Sequence, residues 1–208
     1  MEFFRNIDKN TTYPPQLIYF LSIDIVGSTN FKIKTQGHYG SSYSWSLQFV
    51  SFFEDIDDAL NDAYRNFGAP EKKMQLLNKW RIIGDEIVYF ALVEDLNDLI
   101  QHTQIAIDVG TAFNKHQYRH KFDIKLTSWI AGFPVNNAII FHKNESSKRV
   151  RSNRGTQIRL YEDINFLGSS IDTGFRIAKY STEKKYVIAL DLVFIILHFI
   201  KNKYTFHN

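Results

Sequence analysis

The sequence predicts an α+β fold: a mixed, mainly antiparallel sheet with helices packed on it. Three observations predict this. Residues 17–25 read as a strand whose apolar run, 17–23, suits the middle of a sheet. Residues 79–83 and 86–92 are apolar-rich and separated only by Gly84-Asp85, which reads as a β-hairpin. Between such runs lie segments whose large apolar residues recur at helical spacing. At 208 residues the chain is long enough to bury a core as one domain.

Residues 1–16 are polar and contain Pro14-Pro15, so they read as a lead-in arm to a single domain over 17–208. The strand 17–25 ends at Gly27-Ser28-Thr29, which could start a helix. Residues 42–66 predict a helix: Trp45, Phe49, Phe52, Phe53, Ile56 and Leu60 share one face, with acids between them, and Phe67-Gly68-Ala69-Pro70 stops it. The hairpin follows. Residues 95–114 predict a second helix, with Leu96, Leu99, Ile100, Ile105 and Val109 inward. Residues 122–133 predict a strand ending at Gly132-Phe133-Pro134. Residues 142–158 are basic and polar, with Lys143, Lys148, Arg149, Arg151 and Arg154, and read as a loop able to clamp a triphosphate. Residues 171–180 predict a short helix, 185–189 a strand, and 191–200 a last helix with Asp191 as N-cap. Helices interleaved in this order with a mixed sheet give a sandwich of ferredoxin-like type.

Composition narrows the function. There is no Cys, which excludes disulfides, thiolate zinc sites and a Cys nucleophile. A net charge of +3 from 25 basic and 22 acidic residues permits an anionic substrate but argues for no nucleic-acid surface. The N-terminus has no signal-peptide apolar run, and the longest apolar stretch, 187–200, is too short to span a bilayer and is broken by Asp191 and His198. The expectation is a cytoplasmic protein with no membrane partner.

The chemistry starts at Asp24. The strand 17–25 delivers this carboxylate into a turn of small residues, Gly27, Ser28 and Thr29, whose backbone N–H groups suit phosphate oxygens. A carboxylate beside a phosphate cradle calls for a divalent cation, because like charges otherwise repel. Asp85, at the hairpin tip, can come close to Asp24. The two, with a main-chain carbonyl such as that of Ile25, make an oxygen-rich site for Mg²⁺ or Mn²⁺, able to hold two ions. The His residues, including His102, His116 and His198, scatter along helices and ends and read as structural or surface groups.

Residues 20–29 (FLSIDIVGST), 81–86 (RIIGDE) and 168–178 (GSSIDTGFRIA) resemble, in order and spacing, the three signature blocks of class III nucleotidyl cyclases. Residues 129–135 (WIAGFPV) and 171–176 (IDTGFR) are similar to the Pycsar cyclases, pyrimidine nucleotide cyclases of bacterial anti-phage defence. The resemblance implies a ferredoxin-like class III cyclase catalytic core acting as a head-to-tail homodimer, with metal ligands from one protomer and transition-state residues from the other. It implies Asp24, Asp85 and the Ile25 carbonyl as ligands of Mn²⁺ or Mg²⁺, two per site. Arg176 matches the arginine that meets the α-phosphate. Asp172 stands where most members carry a ribose-orienting asparagine. Arg81 stands where adenylate cyclases carry an adenine-reading lysine and Asn165 near the place of its companion aspartate, so both purine-reading positions are changed.

Arg81 offers only donors, which suits the carbonyls of uracil or the carbonyl and ring nitrogen of cytosine. Asn165 can donate or accept, so UTP and CTP both stay open. The implied product is cyclic UMP or cyclic CMP, with a uridylate cyclase favoured over a cytidylate cyclase, as a second messenger for a separate effector protein. A late triphosphate-binding lysine of the family has no clear match. Lys201, Lys203 or the basic loop could replace it. An adenylate cyclase, an inactive nucleotide-binding homologue and another metal-dependent phosphodiester enzyme remain as rival readings.

Overall fold

The computed structural model describes residues 14–39, 44–67, 76–115, 122–141 and 164–205. Residues 1–13 of the expected arm, most of the 67–70 stop and all of the basic loop 142–158 lie outside these, as does His116. Within them run β1 (Gln16–Ile25), α1 (Ser28–Tyr39), α2 (Ser44–Asn66), β2 (Asn78–Ile83), β3 (Glu86–Val93), α3 (Leu96–Asn114), β4 (Ile124–Phe133), β5 (Asn137–Phe141), β6 (Ile164–Gly168), α4 (Ser169–Ala178), β7 (Tyr186–Ile188) and α5 (Leu190–Thr205).

The main sheet has the order β2-β3-β1-β4-β7. β1 is central and antiparallel to both neighbours, and among the described residues only β4–β7 is parallel. This is the mixed, mainly antiparallel sheet expected. A second sheet, β5–β6, was not anticipated; each of its strands has only five residues.

β1 is buried on both faces over most of its length, so residues 17–21 read as an unbroken apolar run rather than an alternation. Its odd residues Tyr19, Leu21, Ile23 and Ile25 face α2, α3 and α5, packing with Phe52, Ile56, Leu60, Leu99, Val109 and Leu192. Its even residues Ile18 and Phe20 face the other way, into an aromatic layer with Trp80, Phe90, Trp129, Phe133 and Phe166. Further along the same face come Ser22 and Asp24. The face therefore changes from apolar to polar along one strand, and the polar end is left for chemistry.

Two side-chain expectations need correction. Leu96 is 39% exposed, as the first residue of α3, next to its N-cap. Asp191 lies inside the first turn of α5, with its Oδ1 accepting from Leu192 N–H at 2.9 Å, rather than at the N-cap. The true capping box is on α3, where Asp95 and Asp98 exchange bonds with each other's backbone.

Candidate active site

Asp24 stands opposite Glu86 of β3 and opposite Lys125 of β4. Residues directly opposed in antiparallel strands share a face. Glu86, Asp24 and Lys125 therefore form a row across three strands. Lys125 Nζ lies 2.5 Å from Asp24 Oδ2. Glu86 accepts from Ser22 Oγ at 2.5 Å. Asp85 reaches the row from the hairpin tip, where Gly84 takes the left-handed φ of +67° that the first position of this two-residue turn requires.

Asp85 accepts a hydrogen bond from Ser28 Oγ, which ties the hairpin tip to the first turn of α1. Gly27, at φ +71°, turns the chain from β1 into that helix, and its carbonyl accepts from Phe31 N–H. The early N–H groups of a helix have no carbonyl within the helix to bind. Those of α1 are carried by Ser28 and Thr29, beside Asp24 and Asp85. Ser28 is buried and Thr29 exposed.

The electrostatics are those of crowded acids. Burial pushes the Asp24 carboxyl above its ordinary range; Lys125 opposes the shift, and Asp85, close enough to hydrogen-bond it, adds to it by its charge. Burial likewise raises Glu86, against the Ser22 hydrogen bond, with the Asp24 and Asp85 charges adding. A bound dication relieves such crowding, and an all-oxygen carboxylate set suits Mg²⁺ or Mn²⁺. The donor set thus fits the expected metal. It is a carboxylate pair, since no group of three or more His, Cys, Asp or Glu among the described residues is arranged to hold an ion.

The remaining expected residues take no part in these contacts. Asp172 and Arg176 are exposed on α4, outside the contacts that join Asp24, Asp85, Glu86 and Lys125. α4 lies on Trp129 through Gly174, where an added Cβ would stand 2.2 Å from Cε2 of the indole. Arg81 is half-buried, with its guanidinium carbon 4.6 Å from the Trp80 ring centroid. Asn165, half-buried on β6, follows Ile164, whose carbonyl accepts from Trp80 Nε1 at 2.7 Å. Lys201 is exposed on α5, and the side chain of Lys203 lies outside the described residues. Among the His residues, His102 is fully buried in α3, 5.3 Å from the Tyr19 ring, a core position as expected.

No protein-family model matches the chain, and no curated protein matches it in sequence. Solved structures do match in shape. The dimeric guanylyl cyclase domain of the RhoGC fusion protein from Blastocladiella emersonii superposes with a TM-score of 0.61 at 11% identity, over 89% of this chain and 86% of that one. The adenylyl cyclase CyaB from P. aeruginosa gives 0.54 at 9%, over 89% and 82%. A class III adenylyl cyclase-like ATP-binding protein from Pseudomonas aeruginosa gives 0.51 at 12%, over 92% of this chain and 38% of that one. The fold is that of the class III nucleotidyl cyclase domain.

Within this class III fold, Ser22, Glu86, Lys125 and Trp80 are the neighbours of the site that sequence reading missed. Glu86 stood in a quoted motif and Lys125 is the cation nearest the start of its strand, so both were visible as residues. Only the three-strand register makes them neighbours of Asp24.

Proposed function

We propose that this chain is a metal-dependent nucleotidyl cyclase that converts UTP or CTP to the 3′,5′-cyclic monophosphate and pyrophosphate, working as a homodimer. The observation that carries this reading is the meeting of Asp24 and Asp85 beside the N-terminus of α1, in a class III cyclase fold. Asp24, Asp85 and the Ile25 carbonyl would hold Mn²⁺ or Mg²⁺, two per site. The metal's contribution when bound is Lewis acidity, which lowers the pKa of the ribose 3′-hydroxyl and neutralises the leaving pyrophosphate.

The chain's own groups do the rest. The backbone N–H groups at Gly27, Ser28 and Thr29 bind triphosphate oxygens. Arg176, from a second copy, meets charge that develops on the α-phosphate, and Asp172 accepts from a ribose hydroxyl. Arg81 donates to base carbonyls, with Asn165 beside it. Among the described residues, no contact joins the exposed Asp172 and Arg176 to the carboxylate pair of the same chain, which supports a site shared between two copies. The same resemblance that points to pyrimidines points to a cytoplasmic second messenger of anti-phage defence, read by a separate effector.

A second reading has one observation behind it. Lys125 already supplies a cation to Asp24 at 2.5 Å, as a nucleotide-binding homologue without turnover could retain. One experiment separates the two. Purified protein is incubated with ATP, GTP, CTP and UTP in Mn²⁺, and cyclic products are identified by mass. A dominant cyclic UMP or cyclic CMP peak, lost in Asp24→Ala, is expected. Cyclic AMP as the main product would overturn the base assignment, and no product from any triphosphate would favour the binding homologue.

A further inference from the structure

β2 is irregular at one point that no signature motif announces. Its pairing with β3 shifts between Lys79 and Arg81. A bulge places two consecutive side chains where alternation would separate them. Lys79 keeps to the helix-covered face, where its Nζ pairs with Asp57 of α2 at 2.7 Å. Trp80 and Arg81 then both turn to the other face, the one that carries Asp24.

Trp80 is 2% exposed. Its ring meets Phe20 and Phe166 edge-on, with centroids 5.9 and 5.0 Å apart. Its Nε1 donates to the Ile164 carbonyl of β6, next to Asn165. Phe175, one residue before Arg176, lies 6.3 Å away. The indole is thus fixed by packing and by a hydrogen bond at its edge. The guanidinium of Arg81 lies over it at 4.6 Å. A cation so placed is attracted by the ring and held there, and a planar guanidinium presents its N–H groups as a fork of fixed direction.

We propose that Trp80 is a positioning residue for base selection: it holds the Arg81 fork against the oxo-bearing edge of a pyrimidine base and thereby disfavours adenine. The proposal rests on the preceding reading that the chain binds a nucleoside triphosphate. A fork that is free to swing could withdraw from a mismatched base. A fork held on a ring cannot, so an adenine amino group, itself a donor, meets donors with no acceptor between them. Discrimination then depends on two residues acting as one, and on the bulge that puts them on the same face.

The test is a double-mutant cycle on base preference. Wild type, Trp80→Leu, Arg81→Met and the double variant are compared for kcat and KM with UTP, CTP, GTP and ATP. Binding of UTP and ATP is measured in parallel by equilibrium dialysis in Ca²⁺. Trp80→Leu should reduce the preference for UTP over ATP about fivefold, the size of a cation–π contact, through KM rather than kcat. The double variant should lose no more preference than Arg81→Met alone, and Trp80→Phe should restore most of it by keeping a ring. Equal losses on all four triphosphates, adding to those of Arg81→Met, would overturn the proposal.

Should Trp80→Leu fail to fold, Arg81→Lys decides. It keeps the charge without the flat fork, and an unchanged preference there overturns the stack. The dialysis arm reads the stack even if nothing is turned over, so it separates this proposal from the assignment of catalysis. Binding of no triphosphate at all overturns both. A guanine preference that needs both residues overturns the pyrimidine assignment.

Discussion

Replacing Gly174 by Ala tests how α4 is seated. Two contributions oppose each other. In a helix interior Ala is better than Gly by about 1 kcal/mol. Against that, the new methyl would stand 2.2 Å from Cε2 and 2.3 Å from Cδ2 of Trp129. That ring cannot retreat: it is 1% exposed and lies flat on Phe20, with centroids 5.3 Å apart and planes within 7°. The helix must therefore lift, and forcing a methyl into a packed layer costs roughly 1–3 kcal/mol. With the clash near 2, the net loss is about 1 kcal/mol, a fall in Tm of about 2–4 °C for a domain of this size.

Activity should fall further than stability, because α4 carries Asp172 and Arg176. A misplacement of about 1 Å can cost up to about a hundredfold in rate. Thermal melts and turnover are measured on Gly174→Ala and on Gly132→Ala, where no described residue lies within 4 Å of the added Cβ. Gly132→Ala should melt within a degree or so of wild type or above it. A Gly174→Ala protein that melts at or above wild type would refute the close approach of α4 to Trp129.

The remaining predictions concern charge. His102 is fully buried, neither ring nitrogen has a hydrogen-bond partner among the described residues, and its pKa is lowered to about 4, chiefly by burial. A depressed folded pKa means that stability is complete above the unfolded value near 6.5 and is lost as pH falls toward 4, by about 3 kcal/mol in all. Asp24 and Glu86, raised by burial, act in the opposite sense and gain stability as pH falls. The difference in urea midpoint between wild type and His102→Leu, followed from pH 7 to pH 4, isolates the His102 share; a constant difference would contradict it. Lys125→Met removes the ammonium that competes for Asp24, and should tighten Mn²⁺ binding about fivefold, the upper range for a partly exposed ion pair. Titration followed by the Mn²⁺ paramagnetic resonance signal checks this, and weaker binding would make Lys125 a support of the site rather than a competitor.

The large strands and helices could be read from the chain because their signals are local. The run 17–25, the Gly-Asp hairpin turn and the 3.6-residue spacing of Phe49, Phe52, Ile56 and Leu60 each lie within a few turns of backbone. Asp24 and Asp85 could be paired because a strand end and a hairpin tip have few places to go. What escaped was non-local or short. α1, with Gly37 in its last turn and a mixed polar sequence, shows no clean stripe; it is held by Phe31, which meets Phe49 and Phe122. β5 and β6 have too few residues to show a period. Lys125 and Glu86 required the register of three strands. The bulge at Trp80 leaves no mark in composition, and the need for Gly174 becomes visible only once Trp129 lies beneath it.

The central claim is that one chain holds two half-sites, with Asp24 in one and Arg176 in the other, and that the site is completed between two copies. Co-refolding Asp24→Asn with Arg176→Ala tests this most directly. Each variant alone should be inactive. Random pairing makes half of the dimers mixed, each with one intact site of two, so the mixture should regain about a quarter of wild-type activity. A mixture as inactive as either parent, with dimers demonstrated by light scattering, would contradict the account.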